Sequence, residues 1–149
     1  MSKSDTWEND LLLLVFNNTT ASGIGDATGL VGSTGVGSLY ISLHSSDPGE
    51  TGNQSTNEIS YTGYARVAVA RTSGGWTVSG TTPTQVTNAA TINFGQCTAG
   101  TATAAYVGVG TSVSGAGKLL YSGALGSSLS ISTNITPSFA ASALVITED

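Results

Sequence analysis

Alternation of apolar and polar positions is the first signal along the chain. Leu39, Ile41 and Leu43 alternate with Tyr40, Ser42 and His44, a period of two that marks a strand with one buried face. Residues Tyr64 to Arg71 repeat the pattern, with Ala65, Val67 and Val69 on one face and Tyr64, Arg66, Ala68 and Ala70 on the other. Between the two runs lies a polar loop opened by Asp47-Pro48-Gly49, a strong turn sequence. Ser73-Gly74-Gly75 then turns the chain into Trp76 to Ser79, so Tyr64–Arg71 and Trp76–Ser79 are expected to pair as a hairpin. Gly80 to Pro83 breaks the pattern. Further strands are expected at Ala90–Phe94, Ala104–Gly110, Lys118–Ser122 (ended by Gly123), Ser128–Thr133 and Leu144–Thr147. The two glycines in Ala104–Gly110 predict close approach of another backbone.

The period changes at the N-terminus. Ser4-Asp5-Thr6, with Glu8 three residues after Asp5, resembles a capping box, and Asp5, Glu8 and Asp10 suit the positive end of a helix dipole. A helix is expected over about residues 6–16, stopping at Asn17-Asn18. Leu11, Leu14 and Val15 share a face with Trp7, and Leu12 and Phe16 widen it. A helix so apolar in its second half needs cover, from a sheet or from a neighbouring subunit. Residues 18–38 read as a glycine-rich loop whose few aliphatics, Ile24, Leu30, Val31 and Val36, anchor it to a surface. About eight short strands separated by Gly/Ser/Thr/Pro turns then occupy residues 39–149. The expected architecture is a single domain over 1–149: an all-β, antiparallel β-sandwich, jelly-roll-like, with one short N-terminal helix.

Composition narrows the functional classes. Charged residues make up 9% of the 149 positions, against about 25% in ordinary soluble domains, so much of the surface is expected to be covered by other subunits. A formal charge of −5 with four Lys/Arg argues against nucleic-acid binding, since no basic stripe exists to neutralise phosphates. The apolar run Leu11–Phe16 falls far short of the ~20 residues that span a bilayer, and no cleavable signal pattern is present. Neither a membrane nor an export route is implied, and synthesis in the host cytoplasm followed by assembly into a particle is the expectation. The single cysteine, Cys97, excludes an internal disulfide and any multi-cysteine zinc site.

Candidate chemistry is sparse. His44 with Asp47 and Glu50 falls short of a zinc set. Asp47, Glu50 and Glu58, with Asn53, Gln54 and Asn57, supply oxygens for calcium, but not at EF-hand spacing. Serines abound without a G-x-S-x-G elbow, the acids form no evident pair across a cleft, and the glycines lack the lysine of a phosphate loop. No catalytic residue, metal or cofactor is therefore assigned, and no enzyme is expected. Tyr61, Tyr64 and Trp76 form either packing aromatics or a sugar platform. Arg66, inside an apolar strand, must find an acid or carbonyls, because an unpaired buried charge is very costly. Glu58 is one candidate, and an acid from a neighbouring subunit is the other. Arg71, at the strand end, reads as an exposed charge.

The blocks Ser42–Gly52 (SLHSSDPGETG), Glu58–Arg71 (EISYTGYARVAVAR), Gly75–Val78 (GWTV), Tyr106–Gly110, Gly117–Gly123 (GKLLYSG) and Thr147–Asp149 resemble a family of small tailed-bacteriophage virion proteins, usually labelled tail fibre and sometimes head decoration proteins. The resemblance spans nearly the whole chain and departs at Gly23–Gly37, where a glycine-rich stretch precedes the first strand. It implies a virion structural protein. Without a repetitive fibre shaft, the expected role is capsid decoration, a cement that binds the major capsid protein as a homo-oligomer such as a trimer. The alternative is a tail or fibre-tip component that touches other tail proteins or a host receptor. The residues expected at such interfaces are Trp7, Leu11, Leu14, Phe16, Tyr61, Tyr64, Arg66 and Trp76.

Overall fold

The computed structural model describes residues 3–80 and 84–148. Thr81–Pro83, in the expected break, and Asp149 lie outside the described residues. One helix, α1 (Asp5–Asn17), is followed by nine strands: β1 (Ser38–His44), β2 (Val67–Ala70), β3 (Trp76–Ser79), β4 (Thr84–Asn88), β5 (Ile92–Asn93), β6 (Ala102–Gly110), β7 (Leu119–Ile131), β8 (Ser138–Phe139) and β9 (Val145–Glu148). They form sheets ordered β2-β1-β6-β7, β3-β4-β9 and β5-β8. The chain is all-β, with antiparallel sheets and a single short helix, the class its alternation predicted. It divides into two compact units interleaved in sequence: residues 1–38, 69–91 and 139–149, and residues 39–68 and 92–138.

In the first unit, α1 packs on β3 and β4. Ser4 is the N-cap, accepting from the Trp7 amide at 3.4 Å, so the cap lies one residue before the Asp5–Glu8 spacing that had suggested it. The C-cap is Asn18, at φ 55°, whose amide donates to the Leu13 carbonyl. The buried stripe is Glu8, Leu12 and Phe16, offset from the expected Trp7–Leu11–Leu14 face, whose residues are only half-buried. Phe16 meets Trp76 edge-on, with ring centroids 4.8 Å apart, and both are fully buried.

The expected hairpin does not form. β2 lies at the edge of the β1 sheet, whereas β3 pairs with β4, from Trp76 opposite Asn88 to Ser79 opposite Gln85. A tight turn separates them, with the Gly75 and Trp76 amides both donating to the Thr72 carbonyl. β4 (TQVTN) is too polar to stand out in the sequence. It is the central strand between β3 and β9, burying Thr84, Val86 and Asn88. Asn88 tolerates full burial because its Nδ2 donates to the Ala90 and Ala140 carbonyls and its Oδ1 accepts from the Leu144 amide.

The glycine-rich loop is pinned. Ala21 bridges Leu30, and Asn18 exchanges hydrogen bonds with Ser33. Gly32 is required there, because a Cβ would sit 2.3 Å from the Asn18 carbonyl oxygen. Its aliphatics do not anchor it inward. Ile24, Leu30, Val31 and Val36 are all exposed.

In the second unit, β1 pairs with β6 from Tyr40 opposite Gly110 to His44 opposite Tyr106. β6 pairs with β7 from Gly110 opposite Leu119 to Ala102 opposite Ile131. β7 is a single strand of 13 residues; Gly123, expected to end it, pairs with Val107 inside it. The irregularities lie instead at Leu125–Ser128, which bulge out opposite Ala105, and at Leu120, between the Leu119–Gly110 and Tyr121–Val109 pairs. Ile41, Leu43, Val107, Val109 and Ile131 form the apolar core of this unit. Ile92 and Phe94 are buried on one face as expected, although the strand there is shorter. Cys97 is fully buried.

Arg71 departs from its reading as an exposed charge. Its Nε and Nη2 donate to the Val15 and Leu14 carbonyls at 2.6 Å each, and its Nη1 donates to Ser33 Oγ at 3.0 Å. The guanidinium satisfies orphan carbonyls at the negative end of α1 and holds the glycine-rich loop against it. Hydrogen bonds to a charged group contribute about 1.5–3 kcal/mol. Arg71→Ala is therefore expected to lower unfolding free energy by about 2 kcal/mol in urea titration, rather than the small loss typical of an exposed charge.

Candidate functional site

The second unit carries the chain's densest polar construction, around the loop between β1 and β2. Its centre is Arg66. The guanidinium is 2% exposed and meets Glu58 as a two-toothed pair, Nε to Oε1 and Nη2 to Oε2 at 2.7 Å each. Its remaining donors reach the carbonyls of Ser112 at 3.0 Å and Gly115 at 2.8 Å. The sequence requirement that Arg66 find an acid is met by Glu58 of the same chain. Tyr64 completes the arrangement: its hydroxyl donates to Glu58 Oε1 at 2.9 Å and accepts from the Leu43 amide. Burial pushes the Tyr64 phenol well above its usual range, so it remains a donor, and the Glu58 hydrogen bonds hold Arg66 firmly protonated. One ion pair thus ties β1, the 45–58 loop, the approach to β2 and the turn after β6.

His44 ties the same loop from the sheet side. It is fully buried; Nδ1 lies 2.8 Å from the Thr56 carbonyl oxygen and Nε2 lies 2.8 Å from Ser42 Oγ. A carbonyl only accepts, so Nδ1 carries the proton and Nε2 accepts from the Ser42 hydroxyl. This serine–histidine pair has no carboxylate on Nδ1 and no exposed face. Gln54, also fully buried, donates to the Tyr40 carbonyl and accepts from the Ser112 amide. The glycines of β6 make room for these side chains rather than for a backbone. A Cβ on Gly108 would lie 2.6 Å from His44 Nε2, and one on Gly110 would lie 2.1 Å from Gln54 Cδ.

The loop oxygens considered for calcium are not gathered. Glu58 is committed to Arg66 and Tyr64, Gln54 to β1 and the 112 turn, and Asn53 Oδ1 to the Ser55 amide. Among the described residues, no three His, Cys, Asp or Glu side chains stand close enough to hold a metal. Tyr61, Tyr64 and Trp76 do not form a sugar platform either. Trp76 is buried in the first unit. The Tyr61 ring lies edge-on to Tyr64 at 5.4 Å and its hydroxyl donates to the Gly95 carbonyl, while Tyr64 stacks on Phe94 at 6.1 Å. Of the residues expected at interfaces, Phe16, Trp76, Tyr61 and Arg66 are thus engaged inside the chain, and Trp7, Leu11, Leu14 and Tyr64 keep partial exposure.

An open cleft of about 440 Å³ that the sequence did not reveal lies beside the pinned loop. The loop supplies Asp47 and Glu50, β6 supplies Tyr106, and β7 supplies Leu119, Leu120, Tyr121 and Ser122. Only the pairing of β6 with β7, invisible to periodicity, brings these residues together.

A small all-β protein with a braced loop is the class these features define. The sequence profile of the family described as Podophage GP4 fiber I protein gp80 matches residues 2–147. The chain belongs to that family and is a bacteriophage virion structural protein. No curated protein matches it at significant similarity.

Removing Arg66 orphans Glu58 and two turn carbonyls. Arg66→Ala is expected to cost about 3 kcal/mol or more in urea titration, with Arg66→Lys recovering only part, since an ammonium cannot make the fork. His44 generates a pH dependence. Burial is the largest influence and pushes its imidazole below the ordinary 6.5; Arg66 adds to this, while Thr56 and Glu58 oppose it. The unfolded chain binds the proton first as pH falls, so this contribution is complete above about 6.5 and is lost below it. As His44 is the one histidine, melting temperature should fall between pH 8 and pH 5.5, and His44→Gln should flatten that slope.

Proposed function

We propose that this chain is a non-enzymatic component of a phage tail fibre, acting in a globular node that joins other tail proteins and faces the host surface. The fiber description of its family, matched over residues 2–147, carries the reading. It favours the tail over the head-decoration role expected from the missing shaft. A chain without repeats fits a node better than a shaft. The braced loop supports the same role, since a contact surface held by buried hydrogen bonds loses little entropy on binding.

A homo-oligomer fits this role. β7 ends its sheet, and its 13 residues contain no charged side chain and no proline. Natural sheet edges are guarded by charge, proline or cover. Irregularities at Leu120 and at Leu125–Ser128 interrupt it, so Tyr121–Ala124 is the regular stretch a second copy would cover. The partners in this reading are tail-associated phage proteins and a host-surface receptor.

Imaging of labelled particles tests the assignment. Antibody against this chain should mark the tail, and particles lacking the chain should lose adsorption while keeping their heat resistance. Label over the head, with intact adsorption and lowered heat resistance, would return the decoration reading with the major capsid protein as partner.

A further inference from the structure

We infer that the cleft between the Asp47–Gly52 loop and β7 is a binding site for a neutral saccharide, an assignment that rests on the host-facing role proposed above. At about 440 Å³, it falls in the range of small-ligand clefts, about 300–1,000 Å³. Its walls differ in chemistry. Tyr106, half-buried, shares a sheet face with Ser42 and His44 through its pairing with His44, and Leu119 and Leu120 continue an apolar side. Asp47 and Glu50 supply carboxylate acceptors, and Ser122 supplies a hydroxyl. Asp47 Oδ1 accepts from the Gly49 amide. Its other oxygen, the Glu50 carboxylate and the Tyr106 hydroxyl take no protein partner among the described residues.

Sugar rings present an apolar C–H face and a fringe of hydroxyl donors. The first suits Tyr106 and the leucines; the second suits carboxylates, whose hydrogen bonds are roughly twice as strong as neutral ones. Anionic sugars are disfavoured. The lining holds two acids and no Lys or Arg, and the chain carries −5 overall. Lys118, next to Leu119, is exposed and outside the lining. A cationic peptide is the competing class. Yet Asp47 and Glu50 are exposed, and exposed ion pairs contribute only about 0–1 kcal/mol, whereas a sugar ring also lies against Tyr106 and the leucines.

The loop wall is preorganised. Asn57 Nδ2 donates to the Asp47 carbonyl at 2.9 Å, the Gly52 amide donates to the Gly49 carbonyl, and the Gln54 amide donates to the Gly117 carbonyl. Asp47 and Glu50 therefore stand on a wall that needs little ordering when a sugar arrives.

The test uses the full chain and four probes: neutral hexose oligosaccharides, N-acetylhexosamine oligosaccharides, sialylated or phosphorylated forms of these, and a tri-lysine peptide. Binding is read by NMR from the methyl resonances of Leu119 and Leu120. A neutral probe is expected to shift these methyls with a Kd of about 1 mM or tighter. Glu50→Ala, at an exposed position, should weaken it at least tenfold without moving the melting temperature, and Tyr106→Phe should weaken it several-fold through loss of the hydroxyl alone. Binding by the charged probes only, no binding by any probe at 20 mM, or neutral-sugar binding untouched by both variants would each overturn the assignment. The fibre reading fails separately: label over the head with neutral sugars still bound would remove the tail role and leave the cleft assigned.

Discussion

The buried pair between Arg66 and Glu58 is the interaction on which the second unit's surface depends. A guanidinium at 2% exposure is tolerable because most of its donors are met at once, by both oxygens of one carboxylate and by the Ser112 and Gly115 carbonyls. Such a pair adds little net stability against an apolar alternative, since desolvation offsets most of the attraction. What it adds here is geometry. Glu58 also accepts from Tyr64, which accepts from the Leu43 amide, so the end of the long loop has one low-energy position relative to β1. His44 and Gln54 fix the loop at two further points, and the β6 glycines leave the space in which both lie.

Much of this was legible from residue types alone. An arginine in an apolar run demands an acid, and Glu58 was the nearest. The stop at Asn17-Asn18 was legible because asparagine tolerates the left-handed conformation that Asn18 adopts. The alternation in β1 gave its core face. What failed was partner choice. Period two says which side of a strand is buried, but not which strand lies beside it, so Tyr64–Arg71 and Trp76–Ser79 were joined across a short turn although they belong to different sheets. β4 was missed because two of its three buried side chains, Thr84 and Asn88, are polar, and backbone groups rather than an apolar pattern make the burial of Asn88 tolerable. The aromatics pack, as one of their two readings had it, but their partners were hidden for a related reason. Sequence proximity placed Tyr61, Tyr64 and Trp76 together, whereas Trp76 is committed to Phe16 and the tyrosines to Phe94 and Gly95.

The cleft illustrates the same limit from the other direction. Asp47 and Glu50 are about 70 residues from Leu119 and Leu120, and nothing short of strand order brings them together. Family membership identifies a virion structural protein, and the molecule shows how such a protein presents a defined surface with few charges. Arg66, His44 and Gln54 are turned inward as braces, and the surface beside them offers the uncharged edge of β7 and the cleft that it lines. In this respect the low charge content reflects how the loop is built as well as any cover by neighbours.

The central claim is that the loop between β1 and β2 is a braced wall rather than a flexible polar linker. Amide hydrogen exchange tests it directly. The Ser45, Gln54 and Ile59 amides donate to the Asn57, Gly117 and Leu43 carbonyls, so they should exchange with protection comparable to the β1 and β6 amides. Exchange of these three at the rate of an unstructured chain, with β1 and β6 still protected, would contradict the account.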